Sequence, residues 1–304
     1  MAGRTSVIGA SIRRHNVSDM ADTASVAAKV GGKVIVITGG ARGIGLATAT
    51  ALHKLGAKVA IGDIDETTVK ESGADLGLEV YGRLDVTDPA SFSDFLDQVE
   101  RQLGPIDVLI NNAGIMPVGR IIDEPDAVTR RILDINVYGV ILGSKLAAQR
   151  MVPRNRGHVI NVASLAGELH IVGLATYVAS KHAVLAFTDS ARLEYRPYGV
   201  HFSAVLPTFV NTELVSGTPG MKGFRNAEPT EIADAIVGLV AHPKPRVRVT
   251  KAAGAMVVSQ KFWPRRLAEG LNRLLGGEHV FTEDVDVEKR RAYEARARGE
   301  EQDT

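Results

Sequence analysis

Cysteine is absent from the 304 residues. That excludes disulfides and thiolate metal sites, and it fits a reducing, cytoplasmic setting. No His/Asp/Glu cluster has metal-ligand spacing either, so no metal is expected. Charge of one sign is not in excess: the net charge is +1. Bulk electrostatics therefore gives no reason to expect a nucleic-acid partner. No apolar run reaches the ~18 residues of a membrane span. Residues 1–29 lack the apolar core of a secretory signal. Asp19 and Asp22 argue against an acid-poor transit peptide. Residues 1–31 read as a mobile N-terminal extension.

Apolar residues make up 45% of the chain and charged residues 23%. This is a globular composition with enough apolar material for a sizeable core. From residue 32 the pattern alternates. Short β-branched runs, apolar through their middles, occur at Val34–Thr38, Lys58–Gly62, Glu79–Leu84, Val108–Asn111, His158–Val162 and His201–Leu206. Strands buried on both faces of a parallel sheet read this way. Helix-length stretches lie between or after them at Gly45–Leu55, Pro89–Leu103, Pro125–Arg150, Ala175–Tyr195 and Pro229–Ala241. The alternation predicts an α/β fold: one doubly wound, Rossmann-like parallel sheet over residues 32–242. Ligands of such sheets bind beyond the carboxyl ends of the strands. Residues 243–304 read as a C-terminal helical extension. It would hold an amphipathic helix at Phe262–Leu275 and a charged, solvated helix or tail. Between residues 244 and 275 there are eight Lys/Arg and one acid, Glu269. This segment suits either weak peripheral contact with an anionic membrane or packing on the domain or a second subunit.

The first strand runs into Thr38-Gly39-Gly40-Ala41-Arg42-Gly43-Ile44-Gly45, followed by a helix. Glycines permit a tight turn and close backbone approach to a pyrophosphate, and a helix start offers free N–H groups to that anion. A plain strand–helix turn has a similar glycine content; the flanking strand and helix favour the phosphate reading. Asp63 ends the second strand, near the offset at which a carboxylate takes the ribose hydroxyls. A carboxylate there repels a 2′-phosphate and favours NAD, whereas Arg42 in the turn favours NADP. An ordinary loop acid is the alternative for Asp63. The balance of the two predicts NAD, with NADP possible.

Tyr177 and Lys181 are four apart in a helical stretch and share a face. A nearby ammonium lowers a tyrosine's pKa and fits it for proton transfer. The pair alone is weak evidence, because most such pairs are surface neighbours. Its context adds weight. Ser164 follows a strand thirteen residues before Tyr177. Asn136 sits mid-helix, an unfavourable place for an amide without a task. Asn111-Asn112-Ala113-Gly114 ends another strand, where small residues let a cofactor lie on the backbone.

Together these residues resemble the short-chain dehydrogenase/reductase family, in its compact rather than extended branch. The matching pieces are Thr38-Gly39-x-x-x-Gly43-x-Gly45, Asp85, Asn111-Asn112-Ala113-Gly114, Asn136, Ser164, Tyr177-x-x-x-Lys181 and Pro207-x-x-Val210-x-Thr212. They span roughly residues 32–240, in the family's order. The resemblance implies a nicotinamide-dependent oxidoreductase acting on an alcohol or ketone. It makes Tyr177 the general acid/base, with Lys181 lowering its pKa and holding the nicotinamide ribose. Ser164 would bind the substrate oxygen, and Asn136 a water linked to Lys181. Gly39, Gly43, Ile44 and Gly45 would cradle the pyrophosphate. Asp85 and Val86 would flank the adenine, Asn112 the adenosine side, with Ala113 and Gly114 beside it. Val210 and Thr212 would bind the carboxamide. The family's Pro-Gly pair is Pro207-Thr208 here. A homodimer or homotetramer is the corresponding assembly.

Ile171, Val172, Leu174, Phe209, Leu214, Met221 and Phe224 point to a hydrophobic alcohol, if they line a pocket rather than merely pack a lid. The Gly/Thr/Ser-rich stretch 209–225 suits a mobile lid. His170 is a further pocket candidate. Two other readings stand beside the dehydrogenase. An epimerase or dehydratase on this scaffold would normally bring a larger substrate domain and a Gly-x-x-Gly-x-x-Gly turn. A non-catalytic nucleotide sensor would show loss at Tyr177 or Lys181.

Overall fold

The computed structural model of the chain describes residues 24–219, 225–250 and 279–300, with the isolated positions Gly254, Arg266 and Gly270. Seven strands form one parallel sheet in the order β3-β2-β1-β4-β5-β6-β7. They are β1 Val34–Thr38, β2 Lys58–Asp63, β3 Val80–Arg83, β4 Val108–Asn111, β5 Gly157–Val162, β6 Val200–Pro207 and β7 Arg246–Val249. Among the continuous described segments the α-helices are α1 (24–30), α2 Gly43–Lys54, α3 Glu66–Asp75, α4 Pro89–Leu103, α5 Asp126–Leu133, α6 Gly139–Met151, α7 Ala175–Tyr195, α8 Pro229–Ala241 and α9 Val287–Arg298.

Side chains on one strand alternate between the two faces of the sheet. Ile35 and Ile37 of β1 pack with Leu52 of α2, Val69 of α3 and Ile232 and Ile236 of α8. Val34 and Val36 face the other way, onto Phe92 and Leu96 of α4, Leu142 of α6 and Ala191 of α7. Both faces are covered, which is why the central strands are apolar throughout. The strand order reverses between β1 and β4, and a crevice opens at that point. There the buried Thr38 hydroxyl accepts the N–H groups of Asn112 (3.0 Å) and Ala113 (3.1 Å), joining the two strand ends.

Four features depart from the sequence reading. The stretch expected as one helix over Pro125–Arg150 contains a π-helical turn, Asp134–Tyr138, between α5 and α6. Helix α3 was not anticipated, because only Val69 and Gly73 of its ten residues are buried and no apolar stripe marks it. Asp65 caps it instead, accepting from Thr68 N–H at 3.0 Å. Residues 24–30, assigned to a mobile extension, are helical, with Val30 buried against the core and Val26 one turn before it on the same face; residues 1–23 lie outside the described residues.

The fourth departure is at the carboxyl end. The sheet continues past the boundary expected at 242. Strand β7 pairs with β6, and its alternating Arg-Val-Arg-Val reads as a basic segment only because the partners of its arginines are distant in sequence. Arg246 and Arg248 both bond Glu168, whose side chain is 2% exposed. These two cations of the 244–275 segment are therefore engaged within the domain. Of the helix expected at Phe262–Leu275 only Arg266 and Gly270 are described, both helical; the rest of it and most of the segment considered for membrane contact lie outside the described residues. The charged stretch expected as a solvated helix or tail contains the helix α9, which packs onto the crevice rather than standing in solvent. Among the described residues no helix is long and apolar enough to cross a membrane.

Candidate active site

The crevice is a cleft of about 1450 Å³ that runs from the glycine turn to the carboxyl-terminal segment. Its floor is built from strand ends. The turn after β1 needs its glycines: Gly39 and Gly43 have φ of +64° and +55°. A Cβ on Gly39 would lie 2.8 Å from Ala113 Cα, and one on Gly45 would lie 2.1 Å from the Gly39 carbonyl oxygen. Helix α2 starts at Gly43 without a side-chain cap, and Gly43 and Ile44 of its first turn line the cleft. Asn112 donates to the carbonyls of Thr38 (3.0 Å) and Gly39 (2.9 Å). Its amide thus braces the turn from below, beyond the adenosine contact expected of it.

At the end of β2 the Asp63 carboxylate accepts from Ala41 N–H (3.1 Å) and Asp65 N–H (3.2 Å). Burial raises its pKa despite those bonds. Arg42 pairs with Asp65, donates to Thr68 Oγ1 at 2.9 Å and reaches Glu213 at 3.3 Å. Burial opposes its charge, but Glu213 and Asp65 outweigh that and raise its pKa. Asp85, after β3, folds back on Thr87 N–H (2.9 Å) and Thr87 Oγ1 (2.7 Å). Val86 beside it is buried; a Cβ on Gly139 would lie 2.9 Å from its side chain.

At the other end of the cleft α7 presents Tyr177 and Lys181, both buried. The Lys181 Nζ lies 5.6 Å from the Tyr177 ring centre and donates to the Val162 carbonyl at 3.1 Å. Burial lowers the Lys181 pKa to about 8. Burial also pushes the Tyr177 phenol up to about 12, against the opposing influence of the nearby Ser164 hydroxyl. The sequence reading expected the ammonium to pull the phenol down; here burial dominates. Ser164 follows β5 and also accepts from Ala166 N–H at 3.0 Å. Asn136 is fully buried in the π-helical turn. It donates to the Ile115 carbonyl (2.9 Å) and to Ser180 Oγ (3.2 Å), and accepts from Ile115 N–H (2.9 Å). It thereby fixes the backbone after Gly114, where a Cβ would lie 3.2 Å from Asn136 Oδ1 and 3.6 Å from Lys181 Nζ.

Residues 33–222 match the family described as short chain dehydrogenase. The chain belongs to the short-chain dehydrogenase family of oxidoreductases. It is 33% identical over 261 residues to the Probable oxidoreductase EphD of Mycobacterium tuberculosis, covering 78% of this chain and 44% of that protein. The chain thus spans less than half the length of that relative. It is 36% identical over 215 residues to the 3-alpha-(or 20-beta)-hydroxysteroid dehydrogenase of the same species, covering 69% of this chain and 83% of the relative. Among solved structures, a short chain dehydrogenase/reductase from Burkholderia phymatum in complex with NAD superimposes with a TM-score of 0.69 at 27% identity. The match covers 75% of this chain and 92% of that one.

In this short-chain dehydrogenase the residues anticipated from sequence converge on one cleft. Gly39, Arg42, Gly43, Ile44, Asp63, Asp85, Val86, Asn112, Ala113, Gly114, Val210 and Thr212 line one stretch of it, and Ser164, Tyr177 and Lys181 another. Gly45 and Asn136 act from just behind the wall. His170 lines the cleft and stacks on His182, with ring centres 5.7 Å apart. Leu174, Phe209, Leu214 and Ile171 line the end that holds Tyr177, whereas Val172 is 45% exposed and does not; Met221 and Phe224 lie outside the described residues. Among the described residues no group of three or more His/Asp/Glu side chains is placed to hold a metal.

The sequence reading missed two parts of the site. One is a buried ladder in which Asn111 donates to Asn161 Oδ1 and Asn161 to Thr188 Oγ1, each at 2.9 Å, tying β4 and β5 to α7. Two asparagines within apolar strands were its only signal. The other is the carboxyl-terminal segment. Val280 and Phe281 cluster with Met116, Leu174 and Tyr177, and the Tyr293 hydroxyl accepts from Met116 N–H at 2.7 Å.

Proposed function

We propose that the chain is an NAD-dependent dehydrogenase/reductase that interconverts a hydrophobic secondary alcohol and its ketone, with Tyr177 handling the proton. The observation that carries this reading is the convergence of Ser164, Tyr177 and Lys181 on one end of a glycine-turned cleft, with the Lys181 Nζ 5.6 Å from the Tyr177 ring centre. The fit to a dinucleotide is local and steric. Side chains at Gly39 and Gly45 would collide with the backbone, and the open start of α2 suits a pyrophosphate. A bound nicotinamide supplies hydride transfer to or from the substrate carbon.

The chain's residues handle the rest. Ser164 holds the substrate oxygen and Tyr177 exchanges a proton with it. Burial keeps the phenol protonated at neutral pH, the form that donates to a ketone oxygen; oxidation needs its phenolate. Lys181 and Asn136 hold the backbone at Val162 and Ile115 on either side of the reacting position. Preference for NAD follows from Asp63 at the ribose position and from Arg42, whose guanidinium is already held by Asp65 and Glu213 and so is not free for a 2′-phosphate. The apolar substrate end is consistent with an alicyclic alcohol, the class named in the hydroxysteroid dehydrogenase relative.

The test is to incubate the purified protein with NAD or NADP and a panel of cyclic and steroid alcohols, following reduced nicotinamide by its near-ultraviolet absorbance. Turnover with NAD and an apolar secondary alcohol is expected. Folded protein that turns over no alcohol or ketone with either cofactor contradicts the proposal.

A further inference from the structure

The family match ends at residue 222, yet part of the cleft's substrate end comes from residues 279–300. Phe281 is 1% exposed and packs beside Phe209, ring centres 5.6 Å apart. Its backbone lies against Gly173, where a Cβ would come 2.6 Å from the Phe281 carbonyl oxygen. Tyr293 of α9 is also buried, its hydroxyl fixed by Met116 N–H at 2.7 Å. It lies close enough to Tyr177 for the two phenols to influence each other's ionisation. Both rings line the same cleft as Tyr177.

Arg290 fixes this wall in place. Its side chain is 1% exposed and sits over the Tyr293 ring, 4.7 Å from its centre. One guanidinium edge donates to the carbonyls of Leu214 (2.8 Å) and Ser216 (3.0 Å), and another N–H to that of Met116 (2.6 Å). Glu294 accepts from Nε at 2.6 Å and balances the charge. A buried cation so satisfied binds the loop after β4 and the loop after β6 to α9. The described part of the stretch expected to act as a mobile lid is therefore tied to the carboxyl-terminal helix.

We propose that Tyr293 and Phe281 are specificity-determining residues: they form a fixed aromatic end wall that sets how large an alcohol or ketone the chamber admits. The proposal rests on the dehydrogenase reading for the position of the reacting oxygen. It differs from it in assigning size selection to a segment outside the matched family region. Arg290 ties the loops at Met116 and Leu214 to the helix that carries Tyr293, and Phe281 is set by its packing on Phe209 and Gly173.

The test uses the full chain with oxidised cofactor, which cannot reduce a ketone, and measures binding by calorimetry. The ligands are cyclohexanone and a bulky steroid ketone. In Tyr293→Ala the affinity ratio should move about tenfold or more toward the steroid, and in Phe281→Leu it should move the same way by less. Tyr293→Phe, which keeps the ring, should hold the native ratio within about twofold. Ratios unchanged in both Tyr293→Ala and Phe281→Leu, with cofactor binding and melting temperature retained, overturn the proposal. So does a native chain that binds neither ketone. If Tyr293→Ala does not fold, Phe281→Leu decides alone. A native chain that binds both ketones but turns over neither them nor their alcohols refutes the dehydrogenase reading while leaving the wall in place.

Discussion

Burial sets the protonation of both reactive side chains. The phenol of Tyr177 is held up to about 12 and the ammonium of Lys181 down to about 8, each favouring its neutral form. Ketone reduction, which uses the protonated phenol, should vary little with pH across neutrality, and alcohol oxidation should climb. Opposite profiles would contradict this assignment of the proton. Stability is linked to the same groups. Between about 8 and the ordinary lysine value, the unfolded chain holds a proton on Lys181 that the folded chain has lost, so folding gains with rising pH through that window. Lys181→Met should remove that gain, up to about 3 kcal/mol, as read from urea unfolding at about pH 7 and about pH 10. At Asp63, replacement by alanine loosens the turn for either cofactor. Loss of the carboxylate itself should weaken NAD the more, by about tenfold relative to NADP in binding titrations; the reverse order would refute the ribose assignment.

Among the elements, the glycine turn and α7 were legible from sequence because their chemistry is local. A strand, a run of glycines and a helix start are contiguous, and Tyr177 and Lys181 are one helical turn apart. Gly45→Ala tests that locality. The added methyl would sit on the Gly39 carbonyl, so the variant should fold but bind cofactor at least about tenfold more weakly. The π-helical turn was legible only as an oddity. Asn136 stood out as an amide in a helix interior, yet nothing local announced the change in backbone geometry that turns it toward Ile115. Helix α9 was opaque for a different reason. Its charged residues look solvated in isolation, and Arg290 is satisfied in the core by Glu294 and through carbonyls 74 to 174 positions away. Partners of that kind leave no periodicity in the chain.

For the molecule as a whole, the central strands and their layered helices followed from alternation and burial on both faces. The margins did not. Strand β7 was hidden by its arginines, whose shared acid partner, Glu168, sits in the loop after β5, and residues of 279–300, part of a stretch expected to be solvated, line the cleft. Glu168→Ala should therefore be costly beyond its loop. Two arginines about a quarter exposed lose a buried partner, for about 2 kcal/mol of stability in denaturant titration. An unchanged midpoint would show that β7 does not depend on Glu168, Arg246 keeping its pair with Asp189. All of these margins surround one reaction centre, so the account stands or falls there. Tyr177→Phe keeps the ring and removes the hydroxyl. Turnover in either direction should drop about 10²- to 10⁴-fold, while cofactor affinity, measured by titration, stays near that of the native chain. A phenylalanine variant that turns over at the native rate would contradict the account at its centre.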